Sequence, residues 1–143
     1  MSPTGPALIP GEDRRITVTA GHTPTTHIHD PESAYFRYYW LPELGSLSVL
    51  SFMFLNGWLA NDGATITVDY DEFARSLGTT PARLDHTVQR LVGFHLAYIP
   101  VSEPATLYLR RRVPTLNTRQ LARLAERCPT LAAAHDELLH TAA

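Results

Sequence analysis

The stretch DYDEFARSLGTTPARLDHTVQRLVG, running from Asp69 to Gly93, decides the fold. Asp69 stands three residues before Glu72, the spacing of a capping box, in which an acceptor and a glutamate satisfy the orphan amides of a helix start. A helix is predicted from here through Leu77, stopped by Gly78, which tolerates the left-handed turn that ends helices. Thr80 then offers a second N-cap, and Pro81 fits the first helical position, where no amide hydrogen is needed. The second helix is predicted to reach about Val92 and to end at Gly93.

Upstream, Thr65-Ile-Thr-Val68 alternates β-branched residues after the turn Asn61-Asp62-Gly63 and reads as a short strand. Before it, Leu47–Ala60 follows the N-cap candidate Ser46 and is apolar almost all round, the mark of a helix buried on most faces. Its cover is expected to be either the aromatic cluster Tyr35–Trp40 or a second subunit. Downstream, two strand-like runs, Leu96–Val101 and Thr106–Val113, are joined by Ser102–Ala105. Asn117 with Gln120 forms another capping box for a helix through Arg127, and Pro129 precedes a last helical stretch, Thr130–Leu139. Residues 1–33 are rich in Pro, Gly, Thr and His. Apart from strand-like alternation at Arg15–Thr19, they read as a flexible or extended arm.

The resulting order is helix, strand, helix, turn, helix, strand, strand, helix, and over Asp69–Val113 it resembles a winged helix-turn-helix DNA-binding domain. A wider set of residues resembles small helix-turn-helix proteins of actinobacteria and mobile elements over roughly Tyr38 to Leu139. These are Trp40-Leu-Pro42, Leu44-Gly45, Val68-Asp69, Arg90-Leu-Val-Gly-Phe94, Arg110-Arg-Arg-Val-Pro114 and Ala134-His135-Asp136. The resemblance implies a mainly α chain with a small β-sheet (α+β), with extra C-terminal helices. Its expected organisation is an arm over 1–33 and a domain over 34–143. Within the domain lie a helix-turn-helix at 69–93, a wing at 96–113 and C-terminal helices at 117–140.

Composition frames the function. The 143 residues carry a net charge of −2, and all twelve basic residues are arginine, which a GC-rich genome explains first. The charges are not mixed evenly. Residues 1–70 hold three Arg against seven acids, a net of −4, whereas residues 71–127 hold nine Arg against five acids, a net of +4. A basic segment inside an acidic chain calls for a partner hypothesis. The single cysteine, Cys128, makes no internal disulfide and fits a reducing compartment. No secretory signal pattern opens the chain, and Leu47–Leu59 falls short of the ~20 residues that span a bilayer. A cytoplasmic location is expected.

On a helical wheel, Leu84, Val88, Leu91 and Val92 form a core stripe. Arg83, His86, Thr87 and Arg90 cluster about 130° away. The second helix of such a motif enters the major groove. The candidate DNA-binding residues are therefore Thr79, Thr80, Arg83, His86, Thr87 and Arg90, with Arg83 suited to a bidentate grip on guanine. Strand alternation adds Arg110 and Arg112 on one face, toward phosphates. The same side chains also fit an ordinary solvated face or ion pairs to the acidic N-terminal part, and Asp85 argues mildly against a groove. The wing tip, Ser-Glu-Pro-Ala, carries no base.

His22, His27, His29 and Asp30 contain a His-x-His pair, but no Cys or Glu cluster supports a metal site, so no metal or cofactor is expected. There is no nucleophile elbow and no glycine-rich phosphate loop, and Asp71-Glu72 is explained by the capping box. No enzyme activity is expected. Leu121, Leu124, Cys128, Leu131, His135 and Leu138 show heptad-like spacing, read as packing on the first helix or as a dimer seam. The expectation is a sequence-specific double-stranded DNA-binding protein, a transcriptional regulator acting as a homodimer. The alternatives are a protein–protein adapter on the same scaffold and, more weakly, an RNA- or ribosome-associated factor.

Overall fold

In the computed structural model, residues 7–142 are described, with side chains from 7 to 139. Alternation at Arg15–Ala20 makes a strand, β1, with Ile16 and Val18 buried and Thr17 and Thr19 turned the other way. A short strand β2 (His27–His29) follows, then a π-helical turn, Phe36–Trp40, that runs into α1 (Leu41–Leu44). The long helix α2 (Ser46–Asp62) leads to β3 (Thr65–Asp69), α3 (Tyr70–Ser76) and α4 (Pro81–Gly93). Strands β4 (Ala97–Tyr98), β5 (Thr106–Leu109) and β6 (Val113–Pro114) precede α5 (Thr118–Arg127) and α6 (Pro129–Ala142). The chain is α+β, mostly helical with a small mixed sheet. No helix among the described residues is long and apolar enough to cross a membrane.

The sheet order is β3-β1-β5-β4. β1 runs antiparallel to β3, with Ile16 opposite Val68, and parallel to β5, with Val18 opposite Leu107. All four of these side chains are buried, so one face of the sheet is core. Residues before β1 are tied down as well: Leu8 is buried, and the Ile9 amide donates to the Pro104 carbonyl at 2.7 Å. The expected boundary at residue 33 is thereby corrected, because the segment assigned to an arm supplies an interior strand. Four successive β-branched residues, Ile16 to Thr19, with apolar and polar side chains alternating, were enough for a strand, and both edges of that strand found partners far along the chain.

The two expected wing strands are shorter than read. Leu96–Val101 contracts to β4, and Thr106–Val113 breaks at Arg110–Arg112 into β5 and β6. The break coincides with a long-range bond: the Arg111 amide donates to Thr23 Oγ1 at 2.9 Å instead of to a neighbouring strand. β6 pairs with β2, so the second hairpin partner is again drawn from the N-terminal segment.

The aromatic cluster lies against the first long helix, with the rings of Phe36 and Phe52 5.2 Å apart, and the Trp40 indole donates to the Pro114 carbonyl at 2.9 Å. One of the heptad-like C-terminal positions packs elsewhere than expected. His135, wholly buried on α6, meets Tyr35 and Tyr39 of the aromatic segment rather than α2. Tyr35 Oη accepts from the Leu116 amide at 3.0 Å and lies 2.6 Å from His135 Nε2, within hydrogen-bond distance. On its other face the Tyr35 ring stacks on His29, with centroids 3.7 Å apart.

Two outcomes follow from this architecture. A chain beginning at Gly21 lacks the strand that joins β3 to β5, and it should show no cooperative thermal transition by circular dichroism. Burial also holds the His135, His29 and His27 imidazoles below their ordinary pKa. The unfolded chain takes up protons near pH ~6.5, and the folded chain does so only at lower pH. Stability should be complete above that value and fall as the pH drops through it. The midpoint of thermal unfolding should therefore be lower at acid pH, and His135→Gln should flatten that dependence.

Candidate nucleic-acid interface

The local signals that start α3 and α4 operate as side-chain caps. Asp69 Oδ1 accepts from the Glu72 amide at 2.9 Å, and Thr80 Oγ1 accepts from the Arg83 amide at 3.3 Å. Between them the chain turns at Gly78, whose φ of 74° is in the left-handed region that favours glycine. The Thr79 amide closes the turn onto the Ala74 carbonyl at 2.9 Å. Leu84, Val88 and Leu91 anchor α4 in the core, as the wheel indicated. Tyr70, fully buried at the start of α3, donates to Asp85 Oδ1 at 2.5 Å. Burial and the neighbouring carboxylate push the phenol's pKa well up, so it stays a donor and fixes α3 against α4. Asp85, expected to face a groove, is engaged by this bond.

The eight candidate residues divide sharply. Arg83 and His86 are exposed on α4, and neither side chain has a hydrogen bond, ion pair or ring contact among the described residues. Thr80 is exposed but holds the cap. Thr87 is buried, its hydroxyl donating to the Arg83 carbonyl one turn back at 3.2 Å, and the Thr79 hydroxyl is buried without a partner. Those two threonines are corrections: the wheel placed Thr87 with the solvent face, but α4 packs broadly enough to cover it.

Arg90 is a further correction. Its guanidinium donates from Nε to the Leu44 carbonyl at 2.9 Å and from Nη2 to the Glu43 carbonyl at 2.7 Å. These acceptors lie at the C-terminal end of α1, where helical carbonyls lack intrahelical partners. The same turn is held by α5. Arg123 forms an ion pair with the buried Glu43 carboxylate at 2.6 Å, and Arg127 donates to the Pro42 carbonyl at 3.2 Å. Three arginines from two helices thus close on one short turn.

Arg110 and Arg112 no longer share a strand face, because the strand ends at Leu109. Arg110 donates to the carbonyls of His22 and His95 and lies over the Tyr98 ring, 5.7 Å from its centroid. Arg112 donates from Nε to the His27 carbonyl at 3.1 Å. Arg111 was assigned no role from the sequence, yet its Nε donates to Asn56 Oδ1 at 2.7 Å. The available signal was Asn56 itself, an amide side chain in the middle of a helix that is apolar on most faces. Six of the nine arginines in the basic segment therefore hold residues of the acidic N-terminal half. Most arginines of the basic segment are thus engaged inside the molecule, yet of these six only Arg123 meets an acid, so the charge itself is largely retained.

The histidines considered for a metal are also engaged. His27 Nδ1 lies 3.0 Å from the Arg112 carbonyl, and His29 Nε2 lies 2.9 Å from Thr115 Oγ1. Among the described residues no three His, Cys, Asp or Glu side chains are grouped to hold a metal ion. Comparison with protein families, curated proteins and solved structures finds no match to the chain.

The two exposed-face arginines should behave differently when truncated. Arg90→Ala removes two charge-assisted bonds to helix-end carbonyls and should cost about 1–3 kcal/mol in urea unfolding. Arg83→Ala should stay within about 0.5 kcal/mol of the parent.

Proposed function

We propose that the protein is a winged helix-turn-helix regulator that binds double-stranded DNA as a dimer, with α4 as its recognition helix. The observation that carries this is the state of Arg83 and His86. Both stand exposed in the first two turns of α4, directly after the N-cap, with no partner among the described residues. A recognition helix meets base edges with its N-terminal residues, and an unengaged guanidinium there suits guanine O6 and N7. Arg75, exposed near the end of α3, adds a charge for the phosphate backbone. The element order α3, turn, α4, then the β4–β5 hairpin supports reading these elements as a helix-turn-helix followed by a wing. Leu50 and Phe54, exposed one turn apart on α2, support a second copy as cover.

The DNA surface in this proposal is narrower than the sequence suggested. It consists of Arg75, Thr80, Arg83 and His86, without Thr79, Thr87, Arg90, Arg110 or Arg112 as primary contacts. The same narrowing favours the adapter as the second reading, in which the exposed apolar strip on α2 meets another protein and DNA plays no part.

Fluorescence anisotropy with short duplexes separates the two. Few free cations should give a shallow salt dependence, with log affinity falling against log salt at a slope of about −2 to −3. Arg83→Ala should cost roughly tenfold or more on a preferred sequence and much less on mixed duplex. Absence of any duplex binding at low salt, with the protein folded, would sink the DNA proposal and leave the adapter.

A further inference from the structure

The cleft beside α2 is built from charges that do not neutralise one another. It has a volume of about 750 Å³, with Met53, Gly57 and Ala60 of α2 on its lining, Arg111 and Arg112 from the bend after β5, and Asp30 and Glu32 from the loop after β2. The positions 53, 57 and 60 recur along one face of the helix, and the small residues there leave room above the backbone.

Both arginines are fixed in the same way. Arg111 is held through Nε by Asn56, which is 3 % exposed and whose amide group in turn donates to the Phe52 and Arg110 carbonyls at 3.2 and 3.1 Å. Arg112 is held through Nε by the His27 carbonyl. Each anchor is a neutral acceptor, so neither positive charge is cancelled. The terminal Nη groups of both side chains make no hydrogen bond among the described residues. Two terminal nitrogens of a guanidinium form the fork that grips a carboxylate in a bidentate manner, and a buried asparagine already sets the plane of one fork. Asp30 and Glu32 line the same cleft, yet neither forms an ion pair with Arg111 or Arg112. Two cations and two anions thus line one cleft without pairing, around a space large enough for a small organic molecule.

We propose that this cleft binds a small zwitterion of the α-amino acid or dipeptide class. The ligand's carboxylate sits on the Arg111 and Arg112 forks, its ammonium faces Asp30 and Glu32, and its side chain lies over Met53 and Gly57. The formal charges of the four lining residues cancel, which disfavours a nucleotide or other polyanion and matches a ligand of no net charge. The proposal stands apart from DNA binding and does not need it.

The test is isothermal titration of the full chain with the twenty L-amino acids and a set of dipeptides, followed by amino-blocked and carboxyl-blocked forms of whichever binds. At least one should bind with a Kd between about 1 μM and 1 mM and raise the unfolding midpoint. Blocking either end should weaken it about tenfold or more, as loss of a charge-assisted contact does. Glu32→Gln alters an exposed side chain and should leave the ligand-free unfolding midpoint unchanged while weakening binding to a similar degree; Arg112→Gln should weaken binding equally, and its ligand-free midpoint reports the loss of the His27 bond. Arg111→Gln should abolish binding, and its unfolding midpoint reports any loss of the Asn56 anchor. Failure of every probe to bind at about 10 mM, far above that range, would overturn the proposal. So would equal affinity for the amino-blocked form, which would make this a plain anion site, or indifference to Arg112→Gln and Glu32→Gln in a folded protein.

Discussion

The backbone of Arg15–Ala20 is paired along both edges, antiparallel to β3 and parallel to β5, and much of the rest of the molecule is arranged around that fact. A parallel pair cannot be closed by a tight turn, so the whole of α2, β3, α3, α4 and β4 lies in the crossover between its two strands. Ile16 and Val18 put the centre of the sheet into the core, and α3 and α4 are delivered from a strand, β3, whose only sheet neighbour among the described residues is β1. The position of α4 thus depends on residues fifty and more places upstream of it.

Arginine supplies the second level of organisation. A guanidinium has five N–H donors in a rigid plane and serves backbone carbonyls as readily as carboxylates. Arg90, Arg110, Arg112 and Arg127 all use it in this way, on carbonyls of the N-terminal half. Arg123 alone among the arginines of the basic segment closes an ion pair on a buried acid, Glu43. A guanidinium held by carbonyls keeps its full charge, which is why the same residues can fasten the fold and still colour the surface. Arg83 differs from these neighbours in that its side chain makes no hydrogen bond or ion pair among the described residues.

The start of every helix from α3 to α5 was legible, because a cap is a local event within three or four residues. Asp69, Thr80 and Asn117 each accept the amide that their spacing implied. The Tyr35–Trp40 cluster was legible for a related reason, since so many rings have few places to go. Long-range pairings were not. Arg15–Thr19 looked like a strand, but nothing in its own residues says that it sits between β3 and β5. The fates of Arg90 and Arg110 were equally hidden, because their partners are carbonyl groups, which every residue carries and no side-chain pattern reveals. Strand alternation misled at Arg112 because Thr23, far away in sequence, captured the Arg111 amide and ended the strand.

The placement of β1 also bears on how the chain is made. Synthesis delivers Thr17 first, then Thr67, and only much later Thr106, so the earliest strand must wait for both of its neighbours. Until the later one emerges from the ribosome, Ile16 and Val18 have no finished sheet to join, and contacts this distant in sequence slow folding. The four-stranded sheet can therefore close only after β5 has left the ribosome, when the first strand gains its parallel neighbour.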